Sequence, residues 1–97
     1  MTEILKIEAE KQVSQTYGLR YRIATVSSLY FYELIYRFPE NSLPHFTATR
    51  STYGKVHESF SGTTRLSPRL TDVLFHAEKT VRNIEHRSED AETSQTA

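Results

Sequence analysis

Leu29-Tyr30-Phe31-Tyr32-Glu33-Leu34-Ile35-Tyr36-Arg37-Phe38 is the most apolar and aromatic run in the chain, and its reading decides the fold. Successive residues of a strand point to opposite faces. Tyr30, Tyr32, Leu34, Tyr36 and Phe38 therefore share one face, and Leu29, Phe31, Glu33, Ile35 and Arg37 share the other. The first set carries no charge and reads as core. The second mixes large apolar groups with one acid and one base, as on a surface that is partly covered or meets a partner. Aromatic and β-branched content favours a strand over a helix, and apolar groups on both faces place that strand inside a sheet.

On the N-terminal side, Leu5, Ile7, Ala9, Val13 and Tyr17 alternate with Lys6, Glu8, Glu10, Gln12, Ser14 and Thr16. The spacing of four among Leu5, Ala9, Val13 and Tyr17 also fits a helix, but the strict period of two favours a strand. Beyond Gly18, Leu19, Tyr21, Ile23 and Thr25 alternate with Arg20, Arg22, Ala24 and Val26. A two-residue loop at Ser27-Ser28 sets Thr25 opposite Tyr30, Ile23 opposite Tyr32, Tyr21 opposite Leu34 and Leu19 opposite Tyr36, with Arg22 opposite Glu33 on the other face. A loop at Thr16-Tyr17-Gly18, with the glycine left-handed, sets Val13 opposite Tyr21 and Ala9 opposite Thr25.

On the C-terminal side, Pro39 to Pro44 reads as a loop, because proline withholds a ladder donor and Asn41-Ser42 favours a turn. A fourth strand follows from His45 to Tyr53, with Phe46 and Ala48 on one face; Gly54 turns or bulges it before Lys55 to Phe60. Ser61 to Arg65 is a polar loop, Ser67 suits a helix N-cap and Pro68 the first helical position. From Pro68 to about Arg87, Leu70, Val73, Leu74, Ala77, Val81 and Ile84 form one apolar stripe. Asp72 in the first turn, Arg82, His86 and Arg87 near the end, and the Glu78/Arg82 pair all suit that helix. The expected fold is α+β: a four- or five-stranded antiparallel meander sheet with one C-terminal helix packed on one face. Residues 1–87 form a single domain, and residues 88–97 form a disordered acidic tail.

A chain of 97 residues buries roughly two thirds of its unfolded surface, enough for one modest core. The absence of cysteine removes disulfides and thiolate metal sites and fits a reducing cytoplasm. No apolar run in the sequence approaches the roughly 20 residues of a membrane span. The expected location is cytoplasmic, with no membrane contact. The formal charge of zero hides a division. Glu3, Glu8 and Glu10 against Lys6 at one end, and Glu89, Asp90 and Glu92 at the other, leave a surplus of base in residues 11–87. A basic body suits an acidic partner, whether nucleic acid or protein.

There is no Gly-rich nucleotide loop, nucleophile elbow, His-Glu-x-x-His zinc motif or EF-hand loop, so neither catalysis nor a cofactor is expected. Within the helix expected over 68–87, Asp72 and His76 are the one carboxylate and histidine at helical spacing, and a metal would need a third ligand from elsewhere. The Ser61–Arg65 loop before a helix N-terminus suits either a phosphate or plain helix capping, with capping favoured. Tyrosines flanked by arginine on a sheet could stack bases, but most of them fall on the core face.

The outer face gathers Arg20, Arg22, Phe31, Glu33, Ile35 and Arg37, and aromatic residues with arginine are enriched at protein interfaces. A partner-binding surface is the economical reading. Self-association in a homodimer satisfies the same facts, as does cover by the N-terminal segment. In overall build, a basic-bodied domain of under a hundred residues with acidic ends, no cysteine and an aromatic sheet, the chain resembles the small inhibitors encoded by phages and mobile elements, the anti-CRISPR proteins among them. That resemblance implies a non-enzymatic protein that occupies a surface of a host nucleoprotein complex. It also implies acidic groups that imitate phosphates, with Glu3, Glu8, Glu10, Glu33 and the acidic tail as candidates. The second expectation is a small nucleic-acid-binding or regulatory domain using Arg20, Arg22, Arg37, Arg50 and Lys55.

Overall fold

The computed structural model describes residues 6–15, 18–27, 30–52 and 55–96. Five strands, β1 (Lys6–Ser14), β2 (Gly18–Val26), β3 (Phe31–Phe38), β4 (His45–Thr52) and β5 (Lys55–Thr63), precede one helix, α1 (Leu70–Thr96). The strands form an antiparallel meander in chain order, with β3 at its centre. This is the α+β architecture that the alternation of side chains requires. The strand preference for the N-terminal stretch holds, although Leu5, Thr16 and Tyr17 lie outside the described residues, as do Leu29, Tyr53 and Gly54.

The core lies between α1 and the inner sheet face. Tyr21 and Ile23 of β2, Tyr32, Leu34 and Tyr36 of β3 and Ala48 of β4 are buried against Val73, Ala77, Val81 and Ile84 of α1. Each Val, Leu or Ile so enclosed is worth about 1.5–3 kcal/mol relative to exposure. Rings fill the centre: Tyr36 stacks on Phe46 at 5.7 Å, and Tyr21 meets Phe38 edge-on at 6.0 Å. The helix covers β2 and β3 and stops short of β1, so Ile7 and Val13, although on the inner side, remain 40% and 75% exposed. Leu70, expected on the buried stripe, stands 42% exposed at the helix start.

Both hairpins keep the expected faces but differ in register by two residues. Thr25 pairs with Tyr32, Ile23 with Leu34, Tyr21 with Tyr36 and Leu19 with Phe38. Ser-Ser lacks the positive-φ residues of a two-residue turn. The ladder instead ends at the Val26–Phe31 pair, and beyond it Ser27 N donates to Tyr30 O at 2.9 Å and Tyr30 N donates to Ser27 Oγ at 3.1 Å. Tyr30 thus leaves the strand and packs from the loop against the core. In the first hairpin Val13 pairs with Leu19 and Ala9 with Ile23. Gly18 does take the left-handed conformation, at φ 79°, and a Cβ there would lie 3.0 Å from the Phe38 carbonyl oxygen. Both facts require glycine.

The helix boundaries also move. Ser61 to Thr63 extend β5, which shortens the expected polar loop. Pro68 precedes the helix, and Val73 N donates to Arg69 O at 3.0 Å to open the ladder. Ser67 Oγ still caps locally, accepting from Arg69 N at 3.2 Å, while the Tyr21 hydroxyl donates to Pro68 O at 2.8 Å and ties the loop to β2. At the other end the helical backbone runs through Thr96, beyond the end expected at about Arg87. Residues 88–96 contain neither glycine nor proline, so no backbone breaker interrupts the helical ladder after Arg87.

Candidate binding face

The sheet face opposite α1 has no covering element among the described residues, and the register arranges it in four rungs that run across the strands. Gln12, Arg20, Arg37, His45 and Thr63 form the first; Glu10, Arg22, Ile35, Thr47 and Ser61 the second. Glu8, Ala24, Glu33, Thr49 and Ser59 form the third, while the fourth sets Val26, Phe31 and Ser51 side by side. All six residues expected on this face, Arg20, Arg22, Phe31, Glu33, Ile35 and Arg37, are brought together on it. The register adds Glu8, Glu10, Gln12 and His45. His45 was legible only once the length of the Pro39–Pro44 loop fixed it opposite Arg37.

Charge on the face is segregated. Arg22 Nε donates to Glu33 Oε2 at 2.7 Å and its Nη1 lies 3.8 Å from Glu10 Oε2, so this one guanidinium holds two carboxylates. The Glu33 bond, first, and its charge hold the Arg22 guanidinium in its ionised form above its usual range. Arg20 and Arg37 face each other one rung away. Beyond Glu33, Phe31 stands 50% exposed, at the rim of a cleft of about 340 Å³ shared with Val26, Glu33 and Ser51. A half-exposed phenylalanine flanked by charges of both signs can insert into an apolar socket while the rim groups set orientation.

The remaining candidates lie elsewhere. Arg50 belongs to the inner face: it is buried, its Nη2 lies 3.0 Å from Glu58 Oε2, and its guanidinium sits 4.3 Å above the Tyr30 ring. That removes it from a basic surface. The tyrosines proposed for base stacking are likewise enclosed, Tyr21, Tyr32 and Tyr36 being buried. His76 pairs with the sheet: its Nδ1 lies 2.7 Å from the Tyr36 hydroxyl and 3.4 Å from Thr80 Oγ1. The His76 ring meets both Tyr36 and Phe46 edge-on. Burial, then the charge of Lys79, lowers the His76 pKa below its ordinary value. Burial raises the Tyr36 phenol. Among the described residues no group of three His, Asp or Glu side chains is placed to hold a metal, and no helix is long and apolar enough to cross a membrane.

No family model matches the chain, and neither its sequence nor its fold matches a curated protein or a solved structure. Fold and face therefore define the class by themselves: a small α+β protein with a five-stranded meander, one side closed by a helix and the other, with no covering element among the described residues, a surface of segregated charge around an exposed phenylalanine.

Proposed function

We propose that the protein is a non-enzymatic protein-binding module that docks through its outer sheet face. It would act as the small phage-type inhibitors it resembles in build act, by occupying a surface of a host nucleoprotein complex. The observation that carries this reading is Phe31, 50% exposed in a central strand of the sheet with Val26 beside it and ionic groups of both signs around it. Exposed aromatics in such a setting are the usual anchors of protein interfaces. Glu8, Glu10 and Glu33 on the same face weigh against a nucleic acid lying across it, since they repel phosphates. One observation favours that second reading: the Arg20 and Arg37 rung, which is basic and open.

The test is affinity purification of the tagged protein from its own host, alongside a variant carrying Phe31→Ala, Arg22→Glu and Arg37→Glu. A partner retained stoichiometrically by the native protein and lost by the folded variant supports the reading. Retention by the variant at unchanged affinity overturns it. Nucleic acid recovered as the tight, sequence-selective ligand at physiological salt puts the second reading first.

A further inference from the structure

Arg20 and Arg37 are direct cross-strand neighbours, with His45 next in the same rung. Like charges so placed repel, and among the described residues no carboxylate pairs with either arginine. Arg22, one rung away, is satisfied by Glu33 and Glu10. The sheet thus neutralises one guanidinium twice and leaves the adjacent two uncompensated.

The geometry around them is that of a receptor. Arg20 Nη1 donates to Gln12 Oε1 at 3.0 Å, and Gln12 Nε2 donates in turn to Glu10 Oε1 at 3.0 Å, which orients the guanidinium. Its Nε is screened from solvent and has no acceptor. The edge of the Arg20 guanidinium left to an incoming anion is therefore its Nη groups. Arg20, Arg37 and His45 open on a cleft of about 550 Å³, bordered by Ser14 and Pro39.

We propose that this rung receives the carboxylate of an acidic side chain presented by a protein partner. The fork of a guanidinium matches the two oxygens of a carboxylate. The choice of a protein acid over a nucleic-acid backbone follows from the rest of the face. Glu33 lies four residues along β3 from Arg37, roughly 13 Å away, with Glu8 in the same rung. A phosphodiester chain that continued along the face would set its repeating charge over those carboxylates, whereas a peptide can set one acid on Arg20 and Arg37 and apolar groups on Ile35 and Phe31.

The inference rests on the outer face being the docking surface, and its test separates the two. The Nε–H signals of Arg20 and Arg37 are followed by NMR in the full chain during titration with a capped peptide of glutamates and leucines, and separately with a short oligothymidylate. Saturable shifts of both signals with the peptide are expected. Arg37→Glu, whose fold is verified by its amide spectrum, should weaken that binding at least about tenfold, as the loss of one charge-assisted pair does. Phe31→Ala should leave the arginine signals responsive. The inference is overturned if neither probe moves them, if oligothymidylate moves them at lower concentration than the peptide, or if Arg37→Glu binds the peptide unchanged. Failure here with a partner still lost through Phe31→Ala refutes the receptor alone; peptide binding at the rung with a partner indifferent to Phe31 refutes the wider docking face alone.

Discussion

Arg22 stands opposite Ile35 in the β2–β3 ladder, yet its Nε bonds Glu33 Oε2 at 2.7 Å on the diagonal. The bond is exposed, so its worth is small and is screened by salt. Neutral replacements, Arg22→Gln or Glu33→Gln, should leave the melting temperature nearly unchanged. Arg22→Glu differs, because it adds a fourth carboxylate to Glu8, Glu10 and Glu33. Its melting temperature should fall at low ionic strength and recover in high salt. A loss equal at both salt levels would mean that the contact is packing rather than charge.

Phe31 and Leu34 are nearly adjacent on one strand but face opposite sides, one half-exposed and the other fully enclosed. Leu34→Ala removes core atoms and leaves a cavity, costing about 2–5 kcal/mol. Phe31→Ala opens no cavity and should cost about 1 kcal/mol or less, well under the roughly 3–5 kcal/mol of a core phenylalanine. Denaturant titrations of both variants compare the faces directly. A Phe31 loss as large as that of Leu34 would mean that the outer face is covered in solution.

Two buried tyrosines on β3 should respond unequally to loss of a hydroxyl. The Tyr36 hydroxyl lies 2.7 Å from His76 Nδ1, so Tyr36→Phe breaks a buried hydrogen bond and should cost about 1–2 kcal/mol. The Tyr32 hydroxyl is shut from water and makes no well-aligned hydrogen bond, although the Arg50 and Glu85 side chains lie close enough to interact with it. Burial, and then the negative charge of Glu85, push its ionisation up. Tyr32→Phe should cost less than Tyr36→Phe or be neutral, because it removes a group that folding desolvates for only poorly aligned contacts with Arg50 and Glu85. Paired urea denaturation curves give the comparison; a Tyr32→Phe loss equal to that of Tyr36→Phe would mean that one of those contacts is a full hydrogen bond.

The alternation of Tyr32, Leu34 and Tyr36 with Phe31, Glu33 and Ile35 was enough to define both faces, because period two admits only one division. Register was harder to read. A shift of two residues preserves every face, so pattern alone could not choose between Ile23 opposite Tyr32 and Ile23 opposite Leu34; the bonds between Ser27 and Tyr30 go with the second. The same insensitivity hid the Arg20–Arg37 pair, since the expected register put Arg22 against Glu33 and so set Arg20 opposite Ile35 and Arg37 opposite Gly18. Arg50 was misplaced for a different reason. It falls on the inner parity of β4, but an isolated arginine reads as surface until Glu58 and the Tyr30 ring are seen to enclose it. The open inner side of β1 could not be foreseen either, because the sequence does not state how many strands a single helix covers.

His76 should make the fold sensitive to acid. Burial first, and Lys79 second, hold its imidazole below the ordinary value of 6.5. The half-buried ring meets Tyr36 and Thr80 through Nδ1 and the Phe46 ring edge-on. Protonation in the folded state sets a cation among those groups, and the unfolded chain accepts the proton more readily. The unfolded state therefore binds more protons as pH falls below 6.5, and stability declines from there down toward the folded value, with no contribution above it. The expected measurement is a melting temperature that this group leaves flat well above pH 6.5 and lowers as the pH falls through and below 6.5 in the native protein. His76→Gln keeps a neutral acceptor and has nothing to protonate, so its drop over the same interval should be smaller. Comparing the two chains isolates this imidazole from His45, His57 and His86, which both retain. Equal drops in the two would mean that the Tyr36–His76 contact survives protonation and that the acid sensitivity belongs to another group.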